Sequence, residues 1–74
     1  MKSNNRDKFI ELTEKRVTKT LDSIRLIGNL SDKRYYDYDE KDVKQIFRAL
    51  SKELSASKNR FSDALKKNKD FKIK

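Results

Sequence analysis

Apolar residues recur through the second half of the chain at alternating intervals of four and three. Val43, Phe47, Leu50, Leu54, Phe61 and Ala64 fall on one stripe, with Ile46 and Leu65 beside it. This is the heptad rhythm of a helix that packs along its length on another helix. At about 100° per residue, Lys41, Lys44, Arg48, Lys52 and Lys66 project from the opposite side. No acid falls within that group: Asp42 and Glu53 lie on one flank, Glu40 on the other, and Asp63 at the edge. The pattern predicts a long two-striped helix over about 40–67, opened by Asp39 as N-cap, with Glu40 and Asp42 supplying negative charge to its first turn. Tyr38 and Val43 have the N′–N4 spacing of a hydrophobic staple. With no Pro or Gly the helix can run for roughly 40 Å. Ser51, Ser55 and Ser57 are mediocre helix formers, so residues 55–60 are where a break would come.

The first half predicts a second helix over about 6–27. Its inner face is Ile10, Val17, Leu21, Ile24 and Ile27, with Phe9 at one edge and Thr13 and Thr20 sharing the face. A threonine inside a helix commonly returns its hydroxyl to the carbonyl of the previous turn. Leu12 and Leu26 project well away from this face. Ser3, Asn4 or Asn5 suit a helix cap, Asp7 suits the first turn, and the polar stretch before Arg6 suits a frayed end. Gly28, the only glycine, follows the last periodic residue, where a left-handed C-cap conformation costs glycine little. Residues 28–38 are then a connection, and 68–74 a loose lysine-rich tail.

Two helices with one apolar stripe each give an all-α fold, an antiparallel two-helix hairpin. The pair leaves part of each stripe uncovered. Of 74 residues, 34% are hydrophobic and 43% charged, a thin supply for so short a chain. Such chains are stabilised by disulfides, metals or oligomerisation. Cys and His are both absent, which excludes disulfides and ordinary zinc or haem sites. Self-association is the remedy left, and a homodimer forming a four-helix bundle would bury more of the apolar surface. The same absences remove the commonest general base and the best nucleophile. No pair of carboxylates is placed for acid–base work, and one glycine cannot build a phosphate-cradling loop. We therefore expect no enzyme, no cofactor, and no catalytic or metal-ligating residue.

The net charge of +8 favours a polyanionic partner. It is unevenly spread: residues 1–39 hold nine Lys/Arg against seven Asp/Glu, and residues 40–74 hold eleven against five. Lys41, Lys44, Arg48 and Lys52 cover about three helical turns, roughly 16 Å, and can follow a nucleic-acid backbone. Lys66, Lys67 and Lys69 would extend that contact toward the tail, with Ser55, Asn59 and Ser62 adding uncharged donors. The bland reading is the solvated face of a lysine-rich protein. Lys33, Arg34, Tyr35, Tyr36 and Tyr38 form a second candidate surface. Interleaved basic and aromatic residues can stack on unpaired bases, but Asp32, Asp37 and Asp39 among them would repel phosphate. The rings could equally cover the open end of the hairpin, and a protein partner suits them better than nucleic acid.

The block IRLIGNLS at residues 24–31, followed by YYDYDEKDVKQIFRALSKEL at 35–54, resembles a pattern in short, uncharacterised bacterial proteins. The resemblance covers about residues 8–61. It implies a bacterial or mobile-element setting and carries no activity with it.

The sequence thus points to a small, basic, non-enzymatic nucleic-acid-binding accessory or regulatory protein that uses the outer face of the second helix. The alternative is a protein-interaction module, an inhibitor or adaptor, docking by the Tyr35–Tyr38 corner or by an exposed apolar strip that includes Leu12 and Leu26. A helix-turn-helix is not indicated, because the connection is too long for its tight turn. The N-terminus has no apolar run behind its charges and no stretch reaches the roughly 20 apolar residues of a membrane span, so a cytoplasmic location and no membrane partner are expected.

Overall fold

The structure is a computed structural model. It describes the backbone of residues 2–70 and the side chains of residues 4–66. The described residues form two α-helices and no strand: α1, Lys2–Asn29, and α2, Glu40–Asp70. The chain divides into two units between Asp37 and Tyr38.

In the first unit α1 begins at Lys2, not near Arg6, so Ser3, Asn4 and Asn5 lie within the helix and do not cap it. No acid stands in the first turn, which displaces the role expected of Asp7. Serine and asparagine cost a helix only a few tenths of a kcal/mol each, too little to stop propagation where no Pro or Gly intervenes. The other end departs from expectation as well. The helix continues through Gly28 and Asn29, and Gly28 does not adopt a left-handed conformation. The Leu30 N–H donates to the Ile27 carbonyl (3.0 Å) and the Ser31 N–H to the Gly28 carbonyl (3.1 Å). These i→i+3 bonds tighten the last turn and satisfy two terminal carbonyls without a left-handed residue.

Along α1 the Thr20 hydroxyl donates to the Arg16 carbonyl at 2.7 Å, the return bond its position suggests. The Arg6 guanidinium lies 5.9 Å from the centre of the Phe9 ring. Lys15 pairs with Glu11 at 3.9 Å and Arg25 with Asp22 at 2.6 Å, both one turn apart and exposed.

In the second unit α2 opens with a reciprocal cap. The Asp42 N–H donates to Asp39 Oδ1 at 2.9 Å, and the Asp39 N–H donates to Asp42 Oδ2 at 3.0 Å. The Val43 N–H donates to the Asp39 carbonyl at 3.2 Å and closes the first turn. Asp39 is thus the N-cap, and Asp42 fills the N3 place that Glu or Gln usually takes in a capping box. Tyr38 and Val43, one on each side of this cap, are both half-buried. The helix is continuous through residues 55–60 and reaches Asp70, three residues beyond the predicted end. Isolated serines in the middle of 31 residues free of Pro and Gly weaken a helix without breaking it. Asn68–Asp70, expected in a loose tail, are helical; the remainder of that tail lies outside the described residues.

No described residue is buried. The most covered are Thr13, Ile27, Asp32, Tyr38, Val43 and Leu50, all half-buried. Fifteen large apolar side chains stand 38–74% exposed. Taken by itself, each unit leaves the apolar stripe of its helix largely exposed.

Candidate nucleic-acid interface

The continuous α2 helix decides where the predicted site residues stand. Lys41, Lys44, Arg48 and Lys52, at steps of three, four and four, share one face over about 16 Å of helix axis and are all exposed. Ser55, Asn59, Ser62 and Lys66 continue that face and are exposed too. The backbone at Lys67 and Lys69 is helical, so both belong to α2; the described side chains end before them.

What sets this face apart is its pairing. Among the described residues the recorded ion pairs are Glu11–Lys15, Asp22–Arg25 and Asp32–Arg34, and all three lie in α1 or the segment after it. Among the described residues, no cation of α2 belongs to one of these pairs. Of the nearest acids, Asp42 is committed to the cap, Glu40 stands one turn before Lys44 without an ion pair among the described residues, and Glu53 and Asp63 stand to the sides. Lys44–Arg48 and Arg48–Lys52 are like-charge i,i+4 pairs, each costing a helix about 0.2–0.5 kcal/mol. An anion laid along the stripe relieves that repulsion, and each lysine or arginine that meets a phosphate releases counterions.

No protein-family model, curated protein or solved structure matches this chain. The chemistry of the face is therefore read from its own residues. Among the described residues no three acidic side chains gather where a metal ion could sit. No helix there is long and apolar enough to cross a membrane.

The second candidate surface splits. Lys33, Arg34, Tyr35 and Tyr36 belong to the first unit, whereas Tyr38 belongs to the second and flanks the α2 cap. In the first unit Asp32 organises a tight turn. Its carbonyl accepts the N–H groups of Tyr35 (3.1 Å) and Tyr36 (3.0 Å). Its carboxylate accepts the Arg34 N–H (3.0 Å) and a two-pronged bond from the Arg34 guanidinium, Nε to Oδ1 at 3.0 Å and Nη2 to Oδ2 at 2.8 Å. The guanidinium bond, then the backbone N–H, holds the Asp32 carboxyl below its ordinary value, and Asp32 in turn raises Arg34. The same guanidinium lies 5.5 Å from the centre of the Tyr35 ring. Tyr36 meets Tyr35 edge-on, with ring centres 6.5 Å apart. Tyr35 remains 74% exposed, so this ring is presented to solvent. Sequence reasoning weighed Asp32 as a charge that repels phosphate. Its position two residues before a backbone N–H it can accept from, the signature of an Asx-turn, was the signal for its structural part.

Proposed function

We propose that this chain is a small non-enzymatic nucleic-acid-binding protein, an accessory or regulatory factor, whose binding face is the Lys41–Lys44–Arg48–Lys52 stripe of α2. The observation that carries the reading is that this stripe is exposed, free of acids, and without an ion pair among the described residues. Its direction counts as well. Around α2 the centre of the cationic stripe stands about 140° from the centre of the apolar one. A helix that packs by one face and meets phosphates with the other needs this arrangement. An interfacial membrane helix also sets Lys and Arg opposite an apolar face, but that face is strongly apolar and anchored by aromatic residues such as Trp; this chain has no Trp, and Ser57 interrupts the α2 stripe. We place the protein in the cytoplasm, with the helices paired as an antiparallel hairpin and two chains associating through their apolar stripes. The bacterial or mobile-element setting that the sequence block implies is compatible with such a factor. Backbone and shape recognition fit lysines and arginine in a row, which neutralise phosphates and carry no base code.

The test is fluorescence anisotropy of labelled duplex DNA, single-stranded DNA and RNA at physiological salt. Binding of at least one of the three, weakened by charge reversal at Lys44, Arg48 and Lys52, supports the reading. Dissociation constants weaker than about 10⁻⁴ M for all three, the weak end of non-specific binding, would refute it.

The Asp32 turn supports a second reading, an adaptor that docks on a protein. Arg34, Tyr35 and Tyr36 are held in one arrangement before any partner arrives, and Arg and Tyr are common interface anchors. Alanine at Tyr35 and Tyr36 abolishes activity under this reading, whereas glutamate at Arg48 and Lys52 leaves it intact.

A further inference from the structure

We infer that the uncharged middle of the α2 cationic face reads base edges in the major groove of duplex DNA, with the Asn59 amide on an adenine and Lys58 and Arg60 on the phosphates to either side. This rests on the reading of the α2 stripe as the nucleic-acid face. The first support is the order of residues along that face. Lys41, Lys44, Arg48 and Lys52 are followed by Ser55, Asn59 and Ser62, and then by Lys66. All eight are exposed and lie within about 40° of one line along the helix. Charge is therefore withdrawn between Lys52 and Lys66, which stand seven positions before and after Asn59, about 10 Å each way. Opposite a row of phosphates that gap forfeits counterion release. Opposite base edges it fits, because those edges carry donors and acceptors without net charge. A straight helix meets the floor of a winding groove over a short length only, and beyond it the phosphates return to the same face. Uncharged groups in the middle with cations at both ends match that order.

The second support is what flanks Asn59. Successive residues of a helix stand about 100° apart, so Lys58 and Arg60 lie on opposite sides of it. Both are exposed, and neither belongs to an ion pair among the described residues. A helix about 10–12 Å across fills a major groove about 12 Å wide. Its lowest line then faces the bases and its two flanks face the phosphate walls. Lys58, Asn59 and Arg60 supply one suitable group to each. The Asn59 amide is exposed and offers an acceptor and two donors, the set that pairs with N6 and N7 of adenine. Asp63, at the edge of the face, suits a neighbouring cytosine, whose N4 group donates to carboxylates. The third support separates the nucleic acids. Side chains cannot read the deep, narrow major groove of A-form RNA. Binders of unpaired strands stack bases on aromatic rings, and the two rings of α2, Phe47 and Phe61, belong to its apolar stripe.

The experiment selects from a random-sequence duplex DNA pool with the full chain and sequences the bound fraction. A short motif containing adenine should be enriched. Anisotropy at physiological salt then compares the enriched duplex with a scrambled one, and with single-stranded DNA and duplex RNA of the enriched sequence. Asn59→Ala, which favours the helix, should lose about 5–150-fold on the enriched duplex. It should keep its affinity for the scrambled duplex, and its salt slope, because no charge is removed. Placing 7-deazaadenine in the motif removes the N7 acceptor. That change should weaken the original protein and leave Asn59→Ala unaffected. Lys58→Gln with Arg60→Gln should instead weaken both duplexes alike and flatten the salt slope. Binding without an enriched adenine-containing motif would overturn the base-reading inference and leave the nucleic-acid reading standing. So would an enriched motif that Asn59→Ala binds as tightly, an equal loss on both duplexes, or tighter binding of single strands or RNA. Absence of binding to any nucleic acid removes the function reading itself, and the base reading with it.

Discussion

Neutralising two neighbouring cations of α2 gives the most quantitative test of the proposed interface. Arg48→Gln with Lys52→Gln removes two charges from adjacent turns of one face, and both positions are exposed. Neither has an ion pair among the described residues, so no carboxylate is orphaned. Glutamine is nearly as good a helix former as either residue, and removal of the Arg48–Lys52 repulsion favours the helix by a few tenths of a kcal/mol. Circular dichroism should therefore be unchanged. If Lys41, Lys44, Arg48 and Lys52 each neutralise one phosphate of a duplex, the log–log slope of affinity against salt is about −3.6, and the double variant halves it to about −1.8. Between 50 and 200 mM salt the original protein then loses about 150-fold in affinity and the variant about 12-fold. Fluorescence anisotropy of a labelled duplex over a salt series measures both slopes. A variant slope equal to the original, with helicity preserved, would show that the phosphates are met elsewhere and refute the assignment of this face.

Three further outcomes follow from the local geometry. Gly28→Ala should stabilise α1 by about 0.5–1 kcal/mol in thermal melts followed by circular dichroism, since the site is helical and an added Cβ meets nothing within 4 Å; a lower midpoint would mean that the glycine conformation matters after all. Asp39→Ala should destabilise α2 by about 1 kcal/mol by removing the acceptor for the Asp42 N–H, whereas Asp39→Asn should be nearly neutral; equal losses in both variants would point to the charge and away from the cap. The Asp32 carboxyl is depressed in the folded turn, so the turn's stabilisation is present above the ordinary value of 3.8 and is lost as pH falls through the lower folded value. The NMR resonance of the Arg34 Nε–H should therefore titrate with a midpoint below 3.8, and a midpoint at or above it would contradict the two-pronged bond.

The fold was legible where periodicity was strong and obscure at the ends. The four–three spacing from Val43 to Phe61 and the acid-rich start at Asp39 placed α2 correctly, because side-chain period and capping chemistry act on the same few residues. The boundaries of α1 were misjudged for one physical reason. Ser3, Asn4 and Asn5 have the chemistry of caps, and Gly28 that of a stop, but these preferences amount to a kcal/mol or less. A helix whose neighbours favour continuation overrides them. The Asp32 turn was missed because its function is fixed by one carboxylate serving a backbone N–H and a side chain at once. Composition around Lys33 to Tyr38 showed charges and rings without showing that bond.

The cationic face of α2 can be weighed against α1, which belongs to the same chain and meets the same solvent. In α1 charge is spread as a solvated helix spreads it: Glu11 stands a turn before Lys15 and Asp22 a turn before Arg25, and each pair closes. In α2 the positions one turn from Arg48 and Lys52 hold further cations or uncharged residues, and Glu40, one turn before Lys44, makes no ion pair among the described residues. α1 has like-charge neighbours as well, at Asp7–Glu11 and Lys15–Lys19, but acids share the face of its lysines, as the closed Glu11–Lys15 pair shows. The like-charge neighbours of α2 cost a few tenths of a kcal/mol each, and an extended polyanion turns that cost into affinity through counterion release. The apolar stripe on the far side of the same helix allows this without competition, because covering it leaves every cation of the stripe in solvent.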